Sequence, residues 1–186
     1  YLRLNQDDIQ RIRQKDERYI MELYKQTFPL MMSVAVRFEK NREEQFTAVH
    51  NAFLKMLRFI DQFKVNSSFE AWLLRIVRNE LIDTYRRQHK LSNIEFTELK
   101  NEIPEPEFHL EQLENTAPSQ VLAILNDLPP ASKLVFNLFA IDDYSINQIS
   151  EELGISRETV KWHLKTSRKI LRANLANLKN HEHEIE

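Results

Sequence analysis

The densest run of side chains able to do chemistry lies between Arg157 and Arg172. Arg157, Lys161, Lys165, Arg168, Lys169 and Arg172 stand there against Glu158 alone, a local charge of +5 in a chain whose net charge is −2. Cations at helical spacing make no catalytic constellation; they grip a polyanion. A second basic stretch runs from Arg75 to Lys90, where Arg75, Arg78, Arg86, Arg87 and Lys90 outnumber Glu80 and Asp83. The balance then reverses: residues 89–118 hold 2 basic and 7 acidic groups, against 16 and 12 in residues 1–88 and 8 and 9 in residues 119–186. Two basic surfaces separated by an acidic segment suggest two grips on one polyanion. Either stretch alone is explained equally well as a solvated helix face.

The sequence from Gln148 to Val160 shows how such a grip is built. Ser150 is a small residue where two helices approach, and four residues on comes Gly154, the only glycine among 186 residues. A glycine at a helix end supplies the left-handed conformation that a tight turn needs. Ile155 seals the turn and Ser156 caps the next helix. This is the grammar of a helix-turn-helix. Val160 and Leu164 point to the core, which leaves Arg157, Glu158, Thr159, Lys161, Trp162, His163 and Lys165 for a major groove, with Arg168 a turn further on.

Other chemistries are excluded. A single glycine nearly rules out dinucleotide-binding fingerprints and phosphate loops, and the absence of cysteine rules out disulfides, thiol catalysis and cysteine zinc sites. His50, His89, His109 and His163 are scattered, and there is no nucleophile elbow or paired metal-ligand spacing, so neither an enzyme nor a cofactor is expected. The tail His181-Glu182-His183-Glu184 has no supporting ligand cluster and is not read as a metal site. No apolar run approaches a membrane span, so no membrane insertion is expected, and no signal peptide opens the chain. With 42% apolar and 29% charged residues, the composition fits a cytoplasmic protein. The chain begins with Tyr1 and not Met, so native residues are expected before it.

Helical periodicity supplies the elements that must position these residues. Leu2 to Thr27 reads as helix through Ile9, Ile12, Ile20, Leu23 and Tyr24, with Asp7 and Asp16 as N-caps. Pro29 is expected to interrupt it before a restart over Leu30 to Phe38. Asn41 to Phe63 places Phe46, Val49, Phe53, Met56, Leu57 and Ile60 on one face. After the loop Val65 to Ser68, capped by Ser67 or Ser68, comes the clearest stripe: Phe69, Trp72, Leu73, Ile76, Val77, Leu81, Ile82 and Tyr85. From His89 to Pro118 the periodicity is lost in an acidic, proline-punctuated linker. The second half holds short helices: one capped by Ser119, one opening at Pro129-Pro130 with Leu134, Val135, Leu138 and Phe139 inward, then Ile146 to Leu153, and a last one from Arg157 to Leu178. The fold class is all-α: two small helical domains, 1–88 and 119–186, joined by the linker 89–118.

Two segments resemble a known family. Phe69 to Arg87, with Trp72, Arg75, Arg78, Asn79 and Asp83, resembles region 2 of the extracytoplasmic-function (ECF) sigma factors of the sigma-70 family. Leu128-Pro129-Pro130, Tyr144-Ser145 and Gln148 to Arg172 resemble their region 4. The resemblance implies a transcription initiation factor that binds core RNA polymerase and promoter DNA. Region 4 would set the helix beginning at Ser156 in the major groove of the −35 element. Region 2 would open the −10 element and hold its non-template strand through Asn66, Ser67, Arg75, Asn79, Asp83, Arg86 and Arg87. Trp72, on the apolar stripe, supports the fold more than it stacks on a base. The stretch Val49 to Met56 resembles the polymerase-binding helix, through His50, Asn51, Phe53, Leu54 and Lys55. Where the family often carries Gln-Glu or Gln-Asp, this chain has His50-Asn51. The resemblance also suggests an anti-sigma partner that occludes the two domains.

Two other classes compete. A conventional helix-turn-helix transcriptional regulator would bind duplex DNA alone, as a dimer, but the sequence has no dimer heptad and no phospho-acceptor domain. A helical enzyme would need a site, and none is legible.

Overall fold

The computed structural model describes residues 2–88 and 116–183, with side chains as far as Leu178. The acidic linker therefore lies outside the described residues except for its last three positions. All the described elements are helical, and the chain divides into two compact units, Tyr1–Lys90 and Leu91–Glu186.

In the first unit, the span read as helix from Leu2 to Thr27 is divided into α1 (Gln6–Arg13) and α2 (Glu17–Phe38), with the expected cap Asp16 opening the second. Asn5, not Asp7, caps α1, in a reciprocal capping box with Asp8. Lys15 then takes a left-handed φ of 57° and turns the chain, and the Asp16 carboxylate accepts from the Tyr19 N–H at 3.1 Å to restart it. The break expected at Pro29 is absent, and α2 runs on to Phe38. Pro29 and Lys25 are both exposed, so the proline ring and the carbonyl it cannot bond fall on the outer face of the helix.

Helices α2, α3 (Arg42–Arg58) and α4 (Phe69–Gln88) all pack on one another, and a short 3₁₀ turn, Ile60–Gln62, follows α3. Met31 and Val34 of α2, Val49, Phe53 and Met56 of α3, and Phe69, Leu73 and Val77 of α4 form the core. Ser68 caps α4, its Oγ accepting from the Ala71 N–H. Trp72 is half-buried and packs on Phe63 at 5.3 Å, so its role is in the fold, as its stripe position predicts.

In the second unit, α5 (Pro118–Asn126) opens on proline instead of using Ser119 as a cap, and the Gln120 side chain accepts from the Ala117 N–H. Helix α6 (Pro130–Phe136) starts as expected, then widens into a π turn over Asn137–Ile141, where Asp142 N–H reaches back to the Asn137 carbonyl. Leu134, Val135 and Leu138 are buried, whereas Phe139 is half-buried. Helix α7 (Ile146–Leu153) has a Ser145–Gln148 capping box. Gly154 follows with φ +64°, as the turn requires, and α8 (Arg157–His183) extends past the expected end at Leu178.

A Cβ at Gly154 would meet nothing within 4 Å, so alanine there pays for conformation alone. Gly154→Ala should destabilise the second unit by about 1 kcal/mol, read by denaturant titration, and Gly154→Asn by less, because asparagine tolerates the left-handed region.

Candidate nucleic-acid interface

Helix α8 is sorted by one inward stripe. Val160, Leu164, Ser167, Leu171 and Leu175 are buried, and α8 packs on α5, α6 and α7. Ser156, Arg157, Glu158, Lys161 and Trp162 are exposed, and Lys165 and Arg168 are half-exposed. These residues make one continuous face directly after the turn at Gly154. Ser156 caps the helix, its Oγ accepting from the Thr159 N–H at 3.1 Å. Ser150 braces the turn from the other side, its hydroxyl donating to the Ile155 carbonyl at 2.6 Å.

Two residues expected on that face are not there. Thr159 is 9% exposed, its hydroxyl bonded to that of Ser156 at 2.9 Å. His163 is 6% exposed, and its Nδ1 meets the Ser132 hydroxyl of α6 at 2.9 Å. Both fall on the same stripe as Val160 and Ser167, so helical geometry turns them inward. Ser167 completes the cluster, its hydroxyl within reach of the Ser132 carbonyl at 3.0 Å and the His163 carbonyl at 2.9 Å. Burial pulls the His163 imidazole down to about 4. It is therefore a neutral internal strut at ordinary pH.

The first unit presents its polar residues from α3, α4 and the loop between them. Asn66, Ser67, Arg75 and Asn79 are exposed, and the Ser67 hydroxyl donates to the Lys64 carbonyl at 2.7 Å. Asp83 pairs with Lys55 at 3.3 Å and with Arg86 at 3.9 Å. Arg87 reaches Thr84 Oγ1 at 2.9 Å. On α3, His50, Asn51 and Leu54 are exposed, Leu54 to 64%, and Lys55 is half-exposed. His50 stacks on Tyr24 at 5.7 Å. Phe53, expected among the partner-binding residues, is buried and meets Tyr24 edge-on at 5.0 Å. It belongs to the core because it shares a helix face with Val49 and Met56.

Glu80 is the residue of this surface that sequence reasoning missed. Its carboxylate is buried, 1% exposed, yet takes Lys55 Nζ at 2.6 Å, Arg87 Nη2 at 3.3 Å and Asn51 Nδ2 at 3.2 Å. Burial pushes its carboxyl up, but Lys55, Asn51 and Arg87 more than offset that and hold it below the ordinary carboxylate range. The same bond holds the Lys55 ammonium above its usual range despite partial burial. Asn51, Leu54, Lys55, Arg58, Glu80 and Arg87 thus line one open cavity of about 400 Å³. The signal was in the stripe: position 80 lies three residues after Val77 and seven after Leu73, where the pattern is buried. Among the described residues no group of His, Asp and Glu is placed to hold a metal, and no helix is long and apolar enough to cross a membrane. The His181–Glu184 tail lies outside the described side chains.

Residues 23–91 match the family Sigma-70 region 2, and residues 119–171 match Sigma-70, region 4. The ECF RNA polymerase sigma factor SigE of Mycolicibacterium smegmatis is 26% identical over 157 residues, covering 83% of this chain and 61% of that protein. The ECF RNA polymerase sigma factor SigW of Bacillus subtilis is 28% identical over 172 residues, covering 86% of this chain and 88% of that protein. Among solved structures, the sigma factor RpoE of Bartonella quintana, in complex with the anti-sigma factor NepR, has a TM-score of 0.51 at 18% identity, over 84% of this chain and 96% of that one. At that identity the likeness is one of fold.

The buried His163 makes the second unit acid-sensitive. The unfolded chain takes up a proton near pH 6.5, whereas the folded imidazole resists until about 4. Its neutral state costs nothing above pH 6.5, and stability is lost as pH falls from there towards 4, by up to about 3 kcal/mol. Denaturant midpoints of this unit at pH 7 and pH 4.5 should differ by less in His163→Gln, which keeps a partner for Ser132 but does not titrate.

Proposed function

The chain belongs to the extracytoplasmic-function sigma factors of the sigma-70 family, and on that premise we propose how its residues divide the work of promoter recognition. It is a transcription initiation factor: it binds core RNA polymerase in the cytoplasm, recognises the −35 and −10 elements and promotes opening. It does no bond chemistry of its own. Residues 1–88 form the region 2 domain, 89–118 the tether and 119–186 the region 4 domain.

The exposed face of α8 carries this reading. Arg157, Glu158, Lys161, Trp162 and Lys165 lie on the outer side of a helix whose N-terminus follows a helix-turn-helix turn, the geometry in which a recognition helix enters a major groove. Lys161, Lys165 and Arg168 hold phosphates, and the side chains nearest the helix start read base edges. In the first unit, the Asn66-Ser67 loop with Arg75 and Asn79 takes the displaced non-template strand, where unstacked bases need polar edges beside an apolar wall. Arg86 and Arg87 serve its phosphates. Leu54, apolar and exposed between Asn51 and Lys55, is the anchor for polymerase on α3. Because the solved relative was captured with an anti-sigma factor, a protein of that kind is proposed as a partner here too.

Gel filtration with core polymerase lacking any sigma subunit should give stoichiometric co-elution. No co-elution, together with tight binding of duplex DNA by the free protein, would instead favour a conventional helix-turn-helix regulator. Replacing both Lys161 and Lys165 by alanine should weaken promoter binding by the polymerase complex and flatten the log–log salt dependence by about 1.8, roughly 0.9 for each phosphate contact. An unchanged slope would remove both from the list of phosphate contacts.

A further inference from the structure

Trp162 is out of place on a phosphate-gripping surface. It is 40% exposed in the second turn of α8, among Glu158, Lys161 and Lys165. An exposed indole neither neutralises a phosphate nor supports the core. Its ring is nonetheless braced: it meets the His163 imidazole edge-on, with centroids 4.9 Å apart and planes at 77°. His163 is in turn buried and bonded to Ser132 of α6, so the indole leans on a side chain fixed to the domain interior. A ring held in this way gives up little conformational freedom on binding.

The major groove offers such a ring one matching group. Base edges there present hydrogen-bond donors and acceptors, and the 5-methyl of thymine is their apolar feature. We propose that Trp162 is a specificity-determining residue that packs on a thymine methyl in the −35 element, with His163 as the residue that positions it. The proposal rests on α8 entering the major groove and adds which base it reads and through which atoms. The basic neighbours fix register on the backbone, and Trp162 selects the sequence.

The test uses the full chain bound to core polymerase. Upstream elements are selected from a random duplex library, and each thymine of the selected element is then replaced singly by deoxyuridine, which removes only the methyl. One position should lose affinity about fourfold, the loss expected for one buried methyl group. In Trp162→Ala the overall affinity should fall, and the thymine–deoxyuridine difference at that position should disappear while persisting at any other. In His163→Gln the difference should shrink although the unit remains folded by circular dichroism. If no position distinguishes thymine from deoxyuridine, or if Trp162→Ala keeps the difference, the proposal is overturned while α8 stays in the groove. If the complex selects no upstream element at all, the groove reading falls and the proposal with it.

Discussion

A helix with one buried stripe has only one face left to offer, and both units are organised by that constraint. In α8 the stripe from Val160 through Leu171 must lie on α5, α6 and α7, because leaving it in water forfeits the burial that folds a unit this small. Once it is buried, the outer face is fixed without further choice. The cations appear outside because the leucines are inside. The Ser132–His163–Ser167 cluster refines this arrangement: apolar contact alone tolerates small rotations of a helix, whereas a buried hydrogen bond tolerates few. The turn at Gly154 then sets where along its axis the face begins.

The first unit solves the same problem with a charge. Glu80 sits where the stripe of α4 is buried, and a lone carboxylate there would be costly. Lys55, Asn51 and Arg87 pair with it, and the family resemblance gives all three to partner contacts. The surface proposed for polymerase on α3 and the one proposed for the −10 strand on α4 therefore share an internal ion-pair network. A change at Lys55 or Arg87 alters one surface directly and leaves the buried Glu80 carboxylate, on which both surfaces lean, short of a partner.

Much of this was legible from residue types. The 3.6-residue period located α3 and α4, and the sole glycine marked the turn before α8, because that turn needs a left-handed position. What failed did so for physical reasons. Pro29 did not break α2, since its orphaned carbonyl is on the solvent side. Lys15 did break the preceding helix, and lysine carries no turn signal. The resemblance gives Phe53 to polymerase although its apolar stripe already points it inward, and residue type alone offers Thr159 and His163 to the groove, whereas the helix wheel puts all three inside. Glu80 was overlooked because a carboxylate is read as surface unless its partners are known, and those partners lie on another helix.

The arc between Phe63 and Phe69 is short, and its two abutments touch: the rings meet edge-on with centroids 5.5 Å apart, and Trp72 closes the floor beneath them. Bringing the ends of the Asn66–Ser67 loop together is thus accomplished by the core, and the closure entropy is spent in folding. A substitution at Asn66 or Ser67 therefore changes the side chains the loop carries while Phe63 and Phe69 keep its ends in place.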